Sequence, residues 1–122
     1  MQRLYLWACE RLYHELAGIY DVVSWLVSLG QWATWRRFAL DEIEVEPVLE
    51  IGFGSGALLR EMAAHGNRIC GLELSPAMHA VTSRKLALSQ LDVPRVRGSA
   101  LAMPFASASF GTLIATFPAP YI

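Results

Sequence analysis

Val48-Leu49-Glu50-Ile51-Gly52-Phe53-Gly54-Ser55-Gly56 is the stretch whose reading decides the fold. A short strand-like run, apolar except for one carboxylate, leads into three glycines at alternate positions, and an amphipathic stretch from Ala57 to Ala64 follows. Glycine takes positive φ without steric cost and has no Cβ, so such a turn is tight and lets a ligand come close to the backbone. The helix it opens presents free N–H groups beside the same place. Glu50, at the carboxyl end of the strand, lies where open α/β sheets bind ligands. A carboxylate there suits a cationic amino group, or a water held against one.

Beyond this turn the chain continues as short apolar runs separated by turns and amphipathic stretches, the βαβ alternation of a parallel sheet. The pattern predicts strands at Val48–Ile51, Arg68–Leu72, Arg95–Gly98 and Thr112–Thr116. Helices are predicted at Ala57–Ala64 and Pro76–Gln90, the second capped by Ser75 with Pro76 at its first position. Glu73 stands twenty-one residues beyond Gly52, the spacing at which a doubly wound fold sets a carboxylate to accept from ribose hydroxyls. The site is therefore one for a nucleoside, unless Glu73 is only a surface carboxylate at a strand end. Gly52-x-Gly54-x-x-Ala57 also satisfies the dinucleotide fingerprint, which makes a nicotinamide-dependent oxidoreductase the rival reading. Against it stand Glu50 ahead of the glycines, the third glycine at Gly56, and the later run Gly98–Phe105 followed by Ser109-Phe110.

Upstream the texture differs. The first forty residues hold all four tryptophans (Trp7, Trp25, Trp32, Trp35), three of the four tyrosines and no proline. Leu4, Ala8, Leu12, Leu16, Ile19, Val23, Leu26 and Val27 recur at three- and four-residue steps, predicting helix up to Gly30. A second helix is predicted from Trp32 to Leu40, with Arg36-Arg37 near its C-terminal end where the helix dipole favours cations. Asp41 to Glu46 forms an acidic linker. The chain thus divides into an N-terminal helical cap, residues 1–46, and a Rossmann-like half domain, residues 47–122.

Composition excludes several classes. Of the 122 residues 54% are hydrophobic and 17% charged, which rules out intrinsic disorder. A net charge of -1 without a block of like charges gives nucleic acid nothing to recognise. Cys9 and Cys70, the only cysteines, are far apart and read as reduced thiols, with no metal role. No apolar run is long enough to span a membrane, and the N-terminus lacks the signal-peptide pattern, so the cytoplasm is the expected compartment.

On these residues the chain resembles the class I S-adenosylmethionine (SAM) dependent methyltransferases, and within them the group that includes the ubiquinone/menaquinone biosynthesis C-methyltransferases. Glu50 to Gly56 is similar to the family motif E/D-x-G-x-G-x-G, which wraps the methionine and ribose of SAM. The resemblance implies that Glu50, Gly52, Gly54, Gly56 and Leu74 bind the cofactor, S-adenosyl-L-methionine, that Glu73 holds the ribose hydroxyls, and that Met78 packs against the adenine. Gly98 to Phe105 resembles G-D-A-x-x-L-P-F, whose Asp accepts from the adenine amino group while the next backbone N–H donates to the ring; this places Ser99 and Ala100 at the base. Ile19-Tyr20-Asp21, Ser28-Leu29-Gly30 and Trp35-Arg36 are similar to the lid segment of the quinone enzymes, which sets Tyr20, with Asp21 beside it, over the cofactor.

The same resemblance implies a doubly wound parallel sheet of strand order 3-2-1-4 and methyl transfer to a small-molecule or lipid-like, quinone-like acceptor. Three departures stand out. Ser99 replaces the usual Asp, Gly111 replaces the acidic residue that commonly follows Phe110, and the chain stops at Ile122 soon after the fourth strand, as a truncated product would. An exposed fourth-strand edge invites pairing and hence oligomers. Methyl transfer needs little covalent help, because the protein mainly aligns nucleophile and methyl. Among His14, His65 and His79 none is singled out as a base, so the catalytic residue stays unassigned; His79 is expected on the surface. The aromatic N-terminal helices also suit peripheral contact with a membrane. Beside the methyltransferase reading, the oxidoreductase and a noncatalytic SAM-binding fragment remain open.

Overall fold

Four parallel strands form one sheet in the order β3-β2-β1-β4, as expected for half of a doubly wound fold. The computed structural model describes residues 2–15, 17–19, 22, 26 and 30–115. Along these run α1 (Gln2–Glu15), a 3-10 turn (Ala17–Ile19), α2 (Gln31–Asp41), β1 (Val48–Ile51), α3 (Ala57–Ala64), β2 (Ile69–Glu73), α4 (Pro76–Leu88), β3 (Arg95–Arg97), a second 3-10 turn (Ala100–Ala102) and β4 (Thr112–Ile114).

Strand register decides which side chains share a face. Val48 pairs with Ile69 and with Thr112, and Glu50 pairs with Gly71 and with Ile114. Since side chains alternate along a strand, Val48, Glu50, Ile69 and Ile114 point the same way. That face carries the core: Val48 and Ile69 pack with Phe53, with Leu58, Leu59 and Met62 of α3, and with Leu86 of α4. Ala39 and Leu40 of α2, with Ile43 just beyond it, close over the same cluster. On the other face Leu49 lies under the 98–111 connection, where an apolar hollow of about 410 Å³ is lined by Leu49, Leu101, Met103, Phe105, Phe110 and Leu113. Leu113 remains 56% exposed there.

Several boundaries differ from expectation for local reasons. The strand expected at Arg68–Leu72 runs one residue later, because Glu73 still pairs with Arg97. The helix expected to reach Gln90 stops at Leu88, since Gln90 has a left-handed φ of 54° that cannot continue a helix. Its start is as expected: Pro76 is in the first turn and the Ser75 hydroxyl accepts from Met78 N at 3.3 Å. β3 ends at Arg97 rather than Gly98 and β4 at Ile114, with Thr116 outside the described residues. Within the helical region expected up to Gly30, α1 spans Gln2–Glu15, a 3-10 turn spans Ala17–Ile19, and Val22 and Leu26 are helical. Gly30 adopts φ 79° directly before α2.

Gly111, one of the departures noted above, has a structural reason. A Cβ there would sit 2.4 Å from Val45 Cγ1, so the linker occupies the space of a side chain. Gly111 N donates to Pro47 O at 2.8 Å and the Thr112 hydroxyl donates to Val45 O at 2.6 Å, which supplies the hydrogen bonding at the start of β4. No helix among the described residues is long and apolar enough to cross a membrane.

Candidate functional site

The glycine turn after β1 takes the conformation for which its composition suits it: Gly52, Gly54 and Gly56 have φ of 68°, 56° and 81°. Gly56 is constrained twice, because a Cβ on it would also lie 2.5 Å from Thr82 Cγ2 of α4. The Thr82 hydroxyl donates to Gly54 O at 3.1 Å, so α4 clamps the turn from behind. Gly56→Ala is expected to destabilise the chain by about 2 kcal/mol or more, through left-handed strain and the clash together. Urea unfolding checks this, and the added change Thr82→Ala is expected to recover only part of the loss, since it relieves the clash and leaves the strain.

Glu73, at the end of β2, is only 5% exposed. Its carboxylate accepts from Gly54 N at 2.9 Å and from Ser75 N at 3.0 Å, tying the glycine turn to the start of α4. Its carbonyl accepts from Gly98 N at 3.2 Å and is met by His79 Nε2 at 2.9 Å. His79 also stands edge-on to Phe53 of the turn, with ring centroids 4.9 Å apart. The expectation of a surface histidine is thereby corrected: His79 braces the turn and the end of β2 together. The signal was present, because Ser75, Met78, His79, Thr82 and Leu86 fall at helical three- and four-residue steps on one face of α4.

Glu50 is the unusual group. It is 2% exposed, and its Oε2 has no hydrogen-bond partner. Burial pushes its carboxyl up to about 8; the nearby Glu73 carboxylate adds to the rise, Arg36 opposes it, and Glu61 adds a smaller push. Arg36 of α2 is committed to Glu61 of α3, through Nη2 at 3.1 Å and Nε at 3.2 Å, and so does not neutralise Glu50. Arg36 was expected to serve the helix dipole; it instead pins α2 to α3. A buried carboxylate oxygen without a donor is costly, and the pair of acids at the ends of β1 and β2 makes the crevice a place where a cation or donor-rich ligand is favoured.

Leu74 is 40% exposed beside Glu73. Met78, expected against a base, has 0% exposure on the buried side of α4. Ser99 follows β3; its hydroxyl accepts from Leu101 N at 3.1 Å and caps the 3-10 turn that begins with Ala100. Tyr20 and Asp21 lie outside the described residues. His14 is exposed, and His65 lies at the end of α3 with Nδ1 2.8 Å from Glu61 O. Burial pushes the Cys70 thiol up, away from reactivity. Among the described residues no group of three His, Cys, Asp or Glu could hold a metal ion.

This architecture, a 3-2-1-4 parallel sheet with a glycine turn and two acids at adjacent strand ends, is that of the class I methyltransferases. Residues 48–121 match the family model described as a methyltransferase domain, and the chain belongs to that family. It is 32% identical over 111 residues to a demethylmenaquinone methyltransferase of Thermus thermophilus, with 87% of this chain and 50% of the relative covered. It is 30% identical over 109 residues to the enzyme of the same name from Renibacterium salmoninarum, with 87% and 44% covered. The chain thus spans about half the length of these curated relatives. Among solved structures, the glycopeptide N-methyltransferase MtfA complexed with S-adenosyl-L-methionine is similar at 30% identity and a TM-score of 0.53, over 67% of this chain and 38% of that one. A SAM-dependent methyltransferase from Clostridium acetobutylicum shares the fold, at 16% identity and a TM-score of 0.65 over 84% and 43%.

Proposed function

We propose that the crevice binds S-adenosyl-L-methionine and that the protein transfers its methyl group to a small, quinone-like acceptor. The observation that carries the reading is the buried Glu50 Oε2 without a partner. An amino acid ammonium group is the cation that fits beside a glycine turn and one strand away from a ribose-binding acid. Glu50 holds that ammonium, the backbone of Gly52, Gly54 and Gly56 follows the methionine and ribose, and Glu73 accepts from the ribose hydroxyls. Leu74 offers its exposed surface to the base, Ser99 and Ala100 meet the base edge, Met78 supports from below and Tyr20 covers. The bound cofactor supplies a methyl on a good leaving group; the chain's residues bind, orient and keep water away. No side chain is assigned as a base.

The names of the relatives support a quinone-like acceptor, and the complexes of MtfA with SAM and with S-adenosyl-L-homocysteine (SAH), the latter at 29% identity, support the cofactor. A cytoplasmic protein in peripheral contact with a membrane is consistent with an acceptor of that kind, and the outer edge of β4 offers a place for a second copy to pair. The test is transfer of labelled methyl from SAM to a panel of quinols, with SAH and NAD as competitors. Labelled quinol, suppressed by SAH and untouched by NAD, is expected; NAD-dependent turnover that SAH does not affect would overturn the reading.

A further inference from the structure

We infer that the base end of the crevice accepts a purine without requiring its exocyclic 6-amino group, because the side chain that follows β3 beside the Glu73 backbone is, among the described residues, the neutral hydroxyl of Ser99. The inference rests on the SAM-binding reading. If Glu50 takes the amino acid end and Glu73 the ribose, the base projects toward β3, since the strands run β3-β2-β1 across the sheet. There the backbone bond from Gly98 N to Glu73 O, 3.2 Å, brings the residue after Gly98 next to the ribose acid. That residue is Ser99.

The segment after β3 is poor in side-chain acceptors. No Asp or Glu occurs between Arg95 and Phe110. Arg97, two residues before Ser99, donates from Nε to Leu74 O at 3.1 Å, and its guanidinium offers only donors. The Ser99 oxygen already accepts from Leu101 N at 3.1 Å. Its second lone pair can take an amino hydrogen, but as a neutral hydrogen bond that exchanges for one to water and adds little. Its own hydrogen is a donor and finds nothing on an amino group. A purine with hydrogen at position 6 keeps the ring nitrogen that a backbone N–H can reach and gives up only this weak contact. A carboxylate at the same place would accept through a charge-assisted bond and would select the amino base.

The experiment is titration of the full chain, and of Ser99→Asp, with SAH and with its analogue carrying hydrogen in place of the 6-amino group. Asp caps a helix as well as Ser does, so the variant keeps the local turn. For the natural chain the two dissociation constants are expected to agree within about threefold, and Ser99→Asp is expected to widen the preference for SAH to about tenfold or more. A natural chain that already prefers SAH by tenfold overturns the inference while leaving the cofactor reading standing. Failure of both ligands to bind overturns the cofactor reading, and the inference with it.

Discussion

Stability is expected to fall as the pH rises from about 4.5 toward about 8, and Glu50→Gln is expected to remove most of that slope. The sign follows from proton binding. The Glu50 carboxyl has an ordinary value of 4.5 and is held at about 8 in the fold, so between these limits the folded chain keeps a proton that the unfolded chain has released. Each pH unit across that window removes up to about 1.4 kcal/mol. Stability from this group is complete below 4.5 and is lost by about 8, where the folded carboxyl ionises too. Gln keeps the shape and has no charge to desolvate. Urea midpoints at pH 5 and pH 8 for both proteins are the check, with the variant expected to be the more stable at the higher pH. A ligand ammonium reverses the energetics, because it favours the ionised acid. SAH affinity is therefore expected to rise roughly tenfold per pH unit below about 8 in the natural chain and to be weak and nearly flat in Glu50→Gln.

Glu73→Ala is expected to cost both folding stability and cofactor binding. The carboxylate satisfies the buried N–H groups of Gly54 and Ser75, at 2.9 and 3.0 Å. Removing it leaves two buried donors without these acceptors, at about 1 to 3 kcal/mol each. Thermal unfolding is expected to show a loss of about 2 to 5 kcal/mol in total. Glu73→Gln, which keeps one oxygen but sets an NH2 against a donor, is expected to fall between. SAH binding is expected to vanish in the alanine variant and to survive, weakened, in the glutamine one. Equal stability of Glu73→Ala and the natural chain would show that the turn does not depend on this acid.

The parts of the fold bounded by glycine, proline and capping residues were legible in the sequence. β1 and α3 begin and end as expected because Gly52, Gly54 and Gly56 separate them, and α4 starts where Ser75 and Pro76 announce it. The parallel sheet followed from the βαβ alternation, and its 3-2-1-4 order from the family resemblance. Ends without such punctuation moved by a residue or two, as at β2 and the end of α4, because pairing with Arg97 and the left-handed Gln90 are not periodic signals. In the N-terminal region the apolar stripe predicted helix without its internal boundaries, such as the end of α1 at Glu15 and the 3-10 turn at Ala17–Ile19.

Of the site, the two acids and the glycine turn could be found from spacing alone. The protonation of Glu50 could not. It depends on Arg36 being committed to Glu61, twenty-five residues away, and on Glu73 lying across the turn. His79 departs from its expected surface place for a related reason. It falls on the α4 face that meets the turn, and its contact with Phe53 is set by packing and not by the local pattern.

The central claim, that this crevice is built for an S-adenosyl compound, is tested most directly by isothermal titration of the full chain with SAH at pH 7, with NAD as the control, in two buffers of different ionisation enthalpy. Saturable SAH binding with release of close to one proton, and no response to NAD, is the expected result, since Glu50 must ionise to receive the ammonium. A folded, monodisperse chain that binds NAD and not SAH, or that binds neither, would contradict it.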